Sequence, residues 1–363
     1  LTGQTFEGEG RLVFTLNDPV AGLEAVLTLA LDPTTDVLSQ SARLINRGEE
    51  DYTLEWLAAA ALPLPPETEE ILMFEGAWTK EFGLRRQSFP TGALIQENTR
   101  GRTSHAFFPG LVAGLKGFDE ETGEVYGFQL GWSGNHRTVV ERTSNGWRQV
   151  QMGEHLMPGE IILAPGESYT SPTVYACRAE GLNQMSAAFH QHLRTRILPE
   201  SVANTPRPVQ YNTWEAVFFD HEIDTLKELA DRAADLGVER FVLDDGWFKS
   251  RNNDTRALGD WTPDPVKYPE GLGPLVDHVT RRGMSFGLWV EPEMVNPESD
   301  LYRQHPEWAL NCDPLPRETG RSQLVLDLSN PAVSNHLFET LDGLLRNHPV
   351  RYLKWDMNRD LTT

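Results

Sequence analysis

Short runs of alternating apolar and polar residues dominate the first half of the chain. "GRLVFTLND", "AVLTLALD", "VYGFQLGW" and "SYTSPTVYAC" are such runs, bounded by Gly, Pro, Asn or Asp. A period of two puts one side of a strand into a core and the other into water. Many short strands without helical periodicity predict a large sandwich over residues 1–181. From Leu182 the period changes. In "LNQMSAAFHQHLRTRIL", Met185, Phe189, Leu193 and Ile197 recur at helical spacing, and "PESVANTPRP" then reads as a linker. Residues 182–208 are therefore expected to be a connecting helix and a proline-rich linker.

Beyond Val209 strands and helices alternate. "VQYNTW", "RFVLDD", "SFGLWVEPE" and "RYLKWD" read as four strands. The first intervening helix is expected to be capped by Asp224, to bury Leu226, Leu229, Ala230, Ala233 and Leu236, and to close at Gly237. "LGPLVDHVTRR" is a second helix, ended by Gly283. Asn330 and Pro331 open a third, with Val333, Leu337, Phe338, Leu341, Leu344 and Leu345 as its apolar positions. Repeated βα units predict a parallel sheet.

In every unit the polar and aromatic residues gather at the carboxyl end of the strand. They are Asn212 and Trp214; Asp244 and Asp245; Trp289, Glu291 and Glu293; Lys354, Asp356 and Asn358. Open α/β sheets and (β/α)8 barrels both carry their sites at that edge. No glycine-rich phosphate fingerprint opens the first helix, and "GLGPL" lacks the third glycine and follows no strand. The prediction is a multi-domain β plus α/β protein: a sandwich over 1–181, then the first four βα units of a (β/α)8 barrel over 209–363.

Charge narrows the partners. Lys plus Arg number 32 against 53 Asp plus Glu, a formal charge of −21. A nucleic-acid backbone or an anionic membrane demands clustered positive charge, so neither is expected as a partner. Cys177 and Cys312 form no metal motif and are read as free thiols. No apolar run reaches the 18 residues of a membrane span. The opening "LTGQTFEGEG" is not a signal peptide and lacks an initiating Met. The chain is therefore expected to be cytoplasmic and a piece of a longer one.

The strand ends suggest chemistry. Lys354 and Asp356 are two apart and share a face, which in a barrel strand is the inner one. Lys354 would hold Asp356 ionised, as a carboxylate nucleophile requires; a structural ion pair is the other reading. Asp244 and Asp245 could accept sugar hydroxyls, hold a cation with few further oxygens in reach, or cap a loop. Trp214 and Trp289 suit stacking on a pyranose or packing at the rim. Arg321 could fork onto a hydroxyl or carboxylate, or lie free on the surface. His190 and His192, two apart on a helix, diverge and suit no metal.

Several long stretches carry a resemblance. "LDDGWF", "GDWTPDPVKYPEGL", "GLWVEPEMV", "RSQLVLDLSNP" and "YLKWDMNR" occur in that order, with "GWSGNHR" and "MSAAFHQHLR" upstream. This series resembles the α-galactosidases of glycoside hydrolase family 36, strongly over Tyr126–Arg359. The resemblance implies an amino-terminal β-supersandwich and a retaining glycosidase that releases terminal α-linked galactose from sugars such as melibiose or raffinose. It implies Asp356 as nucleophile. It also implies that Asp244, Asp245, Trp214, Trp289, Arg321, Lys354 and Asn358 bind substrate. A tetramer is implied too, and no metal or organic cofactor. Galactosyl transfer, action on N-acetylgalactosamine and sugar binding without catalysis are the alternatives. The family's acid/base is an Asp on a later barrel strand, and no residue here matches it; Glu291 and Glu293 are weak substitutes. A whole barrel takes about 250 residues, which again leads one to expect a longer protein.

Overall fold

The computed structural model describes residues 2–6, 8, 10–312 and 314–362. Leu1 and Thr363, the outer bounds of the first and last expected segments, lie outside them. The chain divides into two compact units, Leu1–Thr205 and Pro206–Thr363.

The core of the first unit lies between two antiparallel sheets packed face to face. Among the described residues, the larger has ten strands, and its centre runs Leu38–Asn46, Thr173–Glu180, Glu124–Gly131, Phe107–Gly114 and Glu70–Ala77. The smaller has four, in the order Ala60–Leu64, Arg148–Glu154, His136–Arg142 and Gly92–Asn98. Alternate residues of both meet in one core. Ile71, Leu111, Phe128 and Val174 of the larger sheet pack with Ala60, Val140, Val150 and Met152 of the smaller. The alternation in the sequence is thus the alternation between this core and water.

The helix Gly181–His192 lies on the larger sheet. Met185 and Phe189 fill the space left by Gly127, where a Cβ would come within 2.5 Å of the Met185 sulfur. The expected apolar stripe does not continue. Leu193–Ile197 form a π-turn, and Leu193 and Ile197 are 40% and 45% exposed. A π-turn takes more residues per turn than an α-helix, so it rotates the stripe away from the sheet. His190 is exposed, whereas His192 is buried with its Nδ1 3.0 Å from the Thr35 hydroxyl. Cys177 and Cys312 are free thiols.

The second unit is a parallel sheet with helices between its strands: β1 (Gln210–Asn212), α1 (Ile223–Asp235), β2 (Arg240–Leu243), α2 (Gly273–Arg281), β3 (Ser285–Val290), α3 (Pro331–Asn347) and β4 (Val350–Trp355). The strands pair in sequence order, with no switch point. Leu226, Ala230 and Ala233 of α1, Leu275, Val276 and Val279 of α2, and Leu344 of α3 share one core with Phe241, Leu243, Phe286 and Leu288. All three helices therefore cover the same face, as in a barrel; a doubly wound sheet would divide them between two. Asn330 caps α3 by accepting the Ala332 N–H at 3.0 Å. Asp224 does not cap α1: the helix starts at Ile223, which puts Asp224 inside its first turn, beside the positive end of the dipole. Among the described residues no helix is long and apolar enough to cross a membrane.

Candidate active site

Register sets the inner face. Asn212, Val242, Gly287 and Tyr352 align across the four strands, and Trp289 aligns with Lys354 one layer above. Residues two further along keep the same face, so Asp244, Trp289, Lys354 and then Glu291 and Asp356 gather at the carboxyl edge.

Two carboxylates organise this edge. Asp244 is buried, and its Oδ2 accepts from Lys354 Nζ at 2.7 Å and from the Asn212 side-chain amide. Its backbone N–H donates to the Thr213 hydroxyl at 3.0 Å. Asp356 is half-buried just beyond β4. Its Oδ2 accepts from Trp289 Nε1 at 3.0 Å and Asn358 Nδ2 at 2.8 Å, and its Oδ1 from the Met357 N–H at 3.0 Å. Asn358 in turn accepts from Arg321 Nη1 at 3.2 Å through its Oδ1. A carboxylate held by three donors has its oxygens fixed in direction.

The geometry differs from the expected roles in three places, at Lys354, Asp245 and Trp289. Lys354 bonds to Asp244 and not to Asp356, because its neighbour across the sheet is closer than its neighbour two residues along. Asp245 does not stand beside Asp244 as a second open acceptor. Both of its oxygens take the Arg251 guanidinium, at 2.9 and 2.8 Å, with both side chains buried. Burial pushes the Asp245 carboxyl up, and the Arg251 fork opposes this. Trp289 is 1% exposed, parallel to Phe248 and against Trp261, so it offers Asp356 an N–H edge and no open face. Trp214 begins a helical turn, Trp214–Val217, beyond β1; its ring is partly open and meets Phe218 and Phe219 edge-on.

Four contributors escaped the sequence reading: Arg251, Gln323, Lys267 and His221. A tandem Asp pair entering a core implies a cation, which was a signal for Arg251, but nothing in the spacing picks out "KSRNN". Lys267 lies in "GDWTPDPVKYPEGL" and donates to three carbonyls, those of Phe219 (2.9 Å), Gly246 (2.8 Å) and Arg251 (2.9 Å). It ties the loops after β1 and β2 together. Lys267→Met is expected to cost about 3 kcal/mol, since three carbonyls lose a charged donor; urea unfolding checks this. Burial pushes His221 down to about 4, so it is neutral. Its Nε2–H donates to the Phe218 carbonyl at 3.0 Å, which leaves Nδ1 to accept the Tyr268 hydroxyl at 2.7 Å. Gly246, at φ +111°, closes the "DDG" turn where a Cβ would crowd His221 and Phe219.

Arg321 and Ser322 are consecutive left-handed residues, φ 52° and 61°. Each costs on the order of 1–2 kcal/mol. The Asn296 side chain holds the turn by donating to the Ser322 carbonyl at 2.7 Å. The turn thereby sends Arg321 to Asn358 and Gln323 beneath Asp356's loop.

The arrangement is a pair of separately held carboxylates, one bearing a lysine, at the carboxyl edge of parallel strands. Sequence comparison places it. The family profile described as Melibiase matches residues 168–363, and that of the glycosyl hydrolase family 36 N-terminal domain matches 2–164. This chain belongs to glycosyl hydrolase family 36. Among the relatives, an alpha-galactosidase of Escherichia coli is 47% identical over 97% of this chain and 50% of its own length. Alpha-galactosidase AgaA of Geobacillus stearothermophilus is 40% identical, over 97% of this chain and 48% of its own. A solved structure of an AgaA variant in complex with raffinose superposes with a TM-score of 0.93 at 39% identity, over 97% of this chain and 49% of that one. The fold of this chain is thus an amino-terminal sheet-rich domain followed by a partial barrel. The chain spans about half the length of the curated relatives it matches.

Proposed function

We propose that this family 36 chain forms part of a retaining α-galactosidase in which Asp356 is the nucleophile. The observation that carries the reading is the hold on Asp356. Three N–H donors aim one half-buried carboxylate at the strand edge where barrels bind their substrates. An Asp356 oxygen would attack the anomeric carbon as the bond to the leaving oxygen breaks. That oxygen would take a proton from a second carboxyl about 5 Å away. Water would then cleave the galactosyl ester with the first anomeric configuration restored.

The remaining site residues have compatible roles. Asp244, with Lys354 and Asn212 on it, would accept sugar hydroxyls while Lys354 donates to them. Arg321 and Asn358, hydrogen-bonded to each other beside Asp356, would meet a hydroxyl next to the reacting carbon. Trp214, partly open, could cover an apolar sugar face. Trp289 would act through Asp356, and Asp245 through the loop that Arg251 anchors. Glu291 is fully enclosed, so it has no open side from which to protonate a leaving group. The substrate class follows from the relatives' names and the raffinose complex of AgaA.

The test uses the protein at its natural length and p-nitrophenyl glycosides. Release of nitrophenol is expected from the α-galactoside and not from the β-galactoside, with α-galactose as the first anomer seen by NMR. A first product of β configuration would refute retention, and no turnover of α-galactosides would refute the activity.

A further inference from the structure

Glu291 is the most enclosed carboxyl group at the site and has no part in the chemistry above. It lies one residue past β3 and is 0% exposed. Its two oxygens have separate partners. Oε1 accepts the backbone N–H of Asn358 at 2.6 Å, and Oε2 accepts Gln323 Nε2 at 3.2 Å. Asn358 is therefore fixed at three points: its backbone by Glu291, its Oδ1 by Arg321, and its Nδ2 on the Asp356 oxygen. A shift of the Asn358 backbone would carry its amide off Asp356.

We propose that Glu291 is a positioning residue for Asp356, acting through the backbone of Asn358. The inference rests on the proposed hydrolysis at Asp356.

The surroundings of Glu291 favour a neutral acid. The charged groups facing it are Asp356, from the end of β4, and Asp245, from the end of β2. From the Arg321–Gln323 turn it meets the neutral Gln323, and neither of its hydrogen-bond partners is a cation. Burial foremost, with those two negative charges, pushes its carboxyl up to about 7, against the opposing bonds from Asn358. Gln323 can serve the protonated form. Its Oε1 is buried without a hydrogen-bond partner among the described residues. Side-chain amide oxygens and nitrogens are assigned from their network. Turned over, Gln323 would accept the Glu291 proton and lose its orphan acceptor. Above neutrality the lost proton would put a second negative charge beside the nucleophile, and repulsion across the Asn358 turn would loosen its aim.

Glu291→Ala, Glu291→Gln and wild type are compared for kcat, KM, the pH profile of kcat, and melting temperature. The alanine variant is expected to lose about 10–100-fold in kcat with KM within about threefold, as misplacement at a reacting centre does. The glutamine variant keeps an acceptor for Asn358 and offers Gln323 a donor, so it is expected to recover kcat to within about threefold. It cannot ionise, so wild type is expected to lose kcat from a lower pH than the glutamine variant, whose remaining alkaline fall is that of the proton-donating carboxyl. If the alanine variant does not fold, the pH profile of the glutamine variant decides. A kcat unchanged in the alanine variant, or a pH profile unchanged in the glutamine variant, overturns the positioning role while leaving the hydrolase reading intact. Wild type without turnover overturns both.

Discussion

Replacing Asp356 by Ala is expected to reduce α-galactoside turnover by on the order of 10⁴-fold or more, the scale on which removing a nucleophile acts, while binding changes far less. The asymmetry follows from what the residue touches. Galactose would be bound mainly by Asp244, Lys354, Asn212 and Arg321, all of which remain. Bond making to the anomeric carbon has no substitute, since Glu291 is enclosed and Asp244 carries Lys354. The variant also leaves the Trp289 and Asn358 donors without their acceptor, so a stability loss of about 1–3 kcal/mol accompanies it. Melting temperature measured beside kcat separates the two effects.

Azide sharpens this test. A small anion can enter the space left by the Asp356 carboxylate and attack the same carbon from the same side, and the aglycone then leaves. The expected product from an α-galactoside is β-galactosyl azide, with turnover restored in proportion to azide. A residue that merely oriented another nucleophile would not give that inverted product. Turnover in Asp356→Ala equal to wild type would remove Asp356 from the mechanism altogether.

Much of the architecture was legible because it is periodic. Alternation in "VYGFQLGW" marks Glu124–Gly131, and the Asn330–Pro331 pair marks the start of α3 within a residue. The strand-end clusters were legible for the same reason: a parallel strand of three to six residues ends where its apolar run ends. What was not legible is lateral. Spacing along one strand sees Lys354 two residues from Asp356, but the carboxylate that Lys354 meets belongs to the second strand. Arg251 reaches Asp245 through a loop, and loop geometry has no period to read. Trp289 shows a further limit. Its identity suggested a stacking face, whereas its neighbours Phe248 and Trp261 occupy that face and leave only the N–H at work. Leu193 and Ile197 kept a helical period that the π-turn undoes.

The largest stability effect is expected at Arg251. Its guanidinium forks onto both oxygens of Asp245, and its Nη1 donates to the Arg256 carbonyl at 2.7 Å and the Asn296 side-chain oxygen at 3.1 Å. Phe219 and Phe248 lie against it, with its central carbon 5.6 and 5.5 Å from the ring centroids. Arg251→Met keeps much of the bulk and removes the charge. Asp245 is then a buried carboxylate without its cation, for which the cost is about 3–5 kcal/mol. The pH dependence has a definite sign. Losing Arg251 raises the folded-state pKa of Asp245 further above its unfolded value, because burial is no longer opposed. The folded state then holds its proton longer than the unfolded one, so the penalty grows as pH rises above the unfolded value of about 4 and is relieved below it. Urea unfolding of Arg251→Met should therefore show a larger loss at pH 8 than at pH 5. Asp245→Asn combined with Arg251→Met removes both charges and is expected to recover a large part of the loss. A single variant as stable as wild type at pH 8 would mean that the pair does not hold this loop. A double variant no better than the single one would assign the loss to the Arg256 and Asn296 contacts and not to the stranded carboxylate.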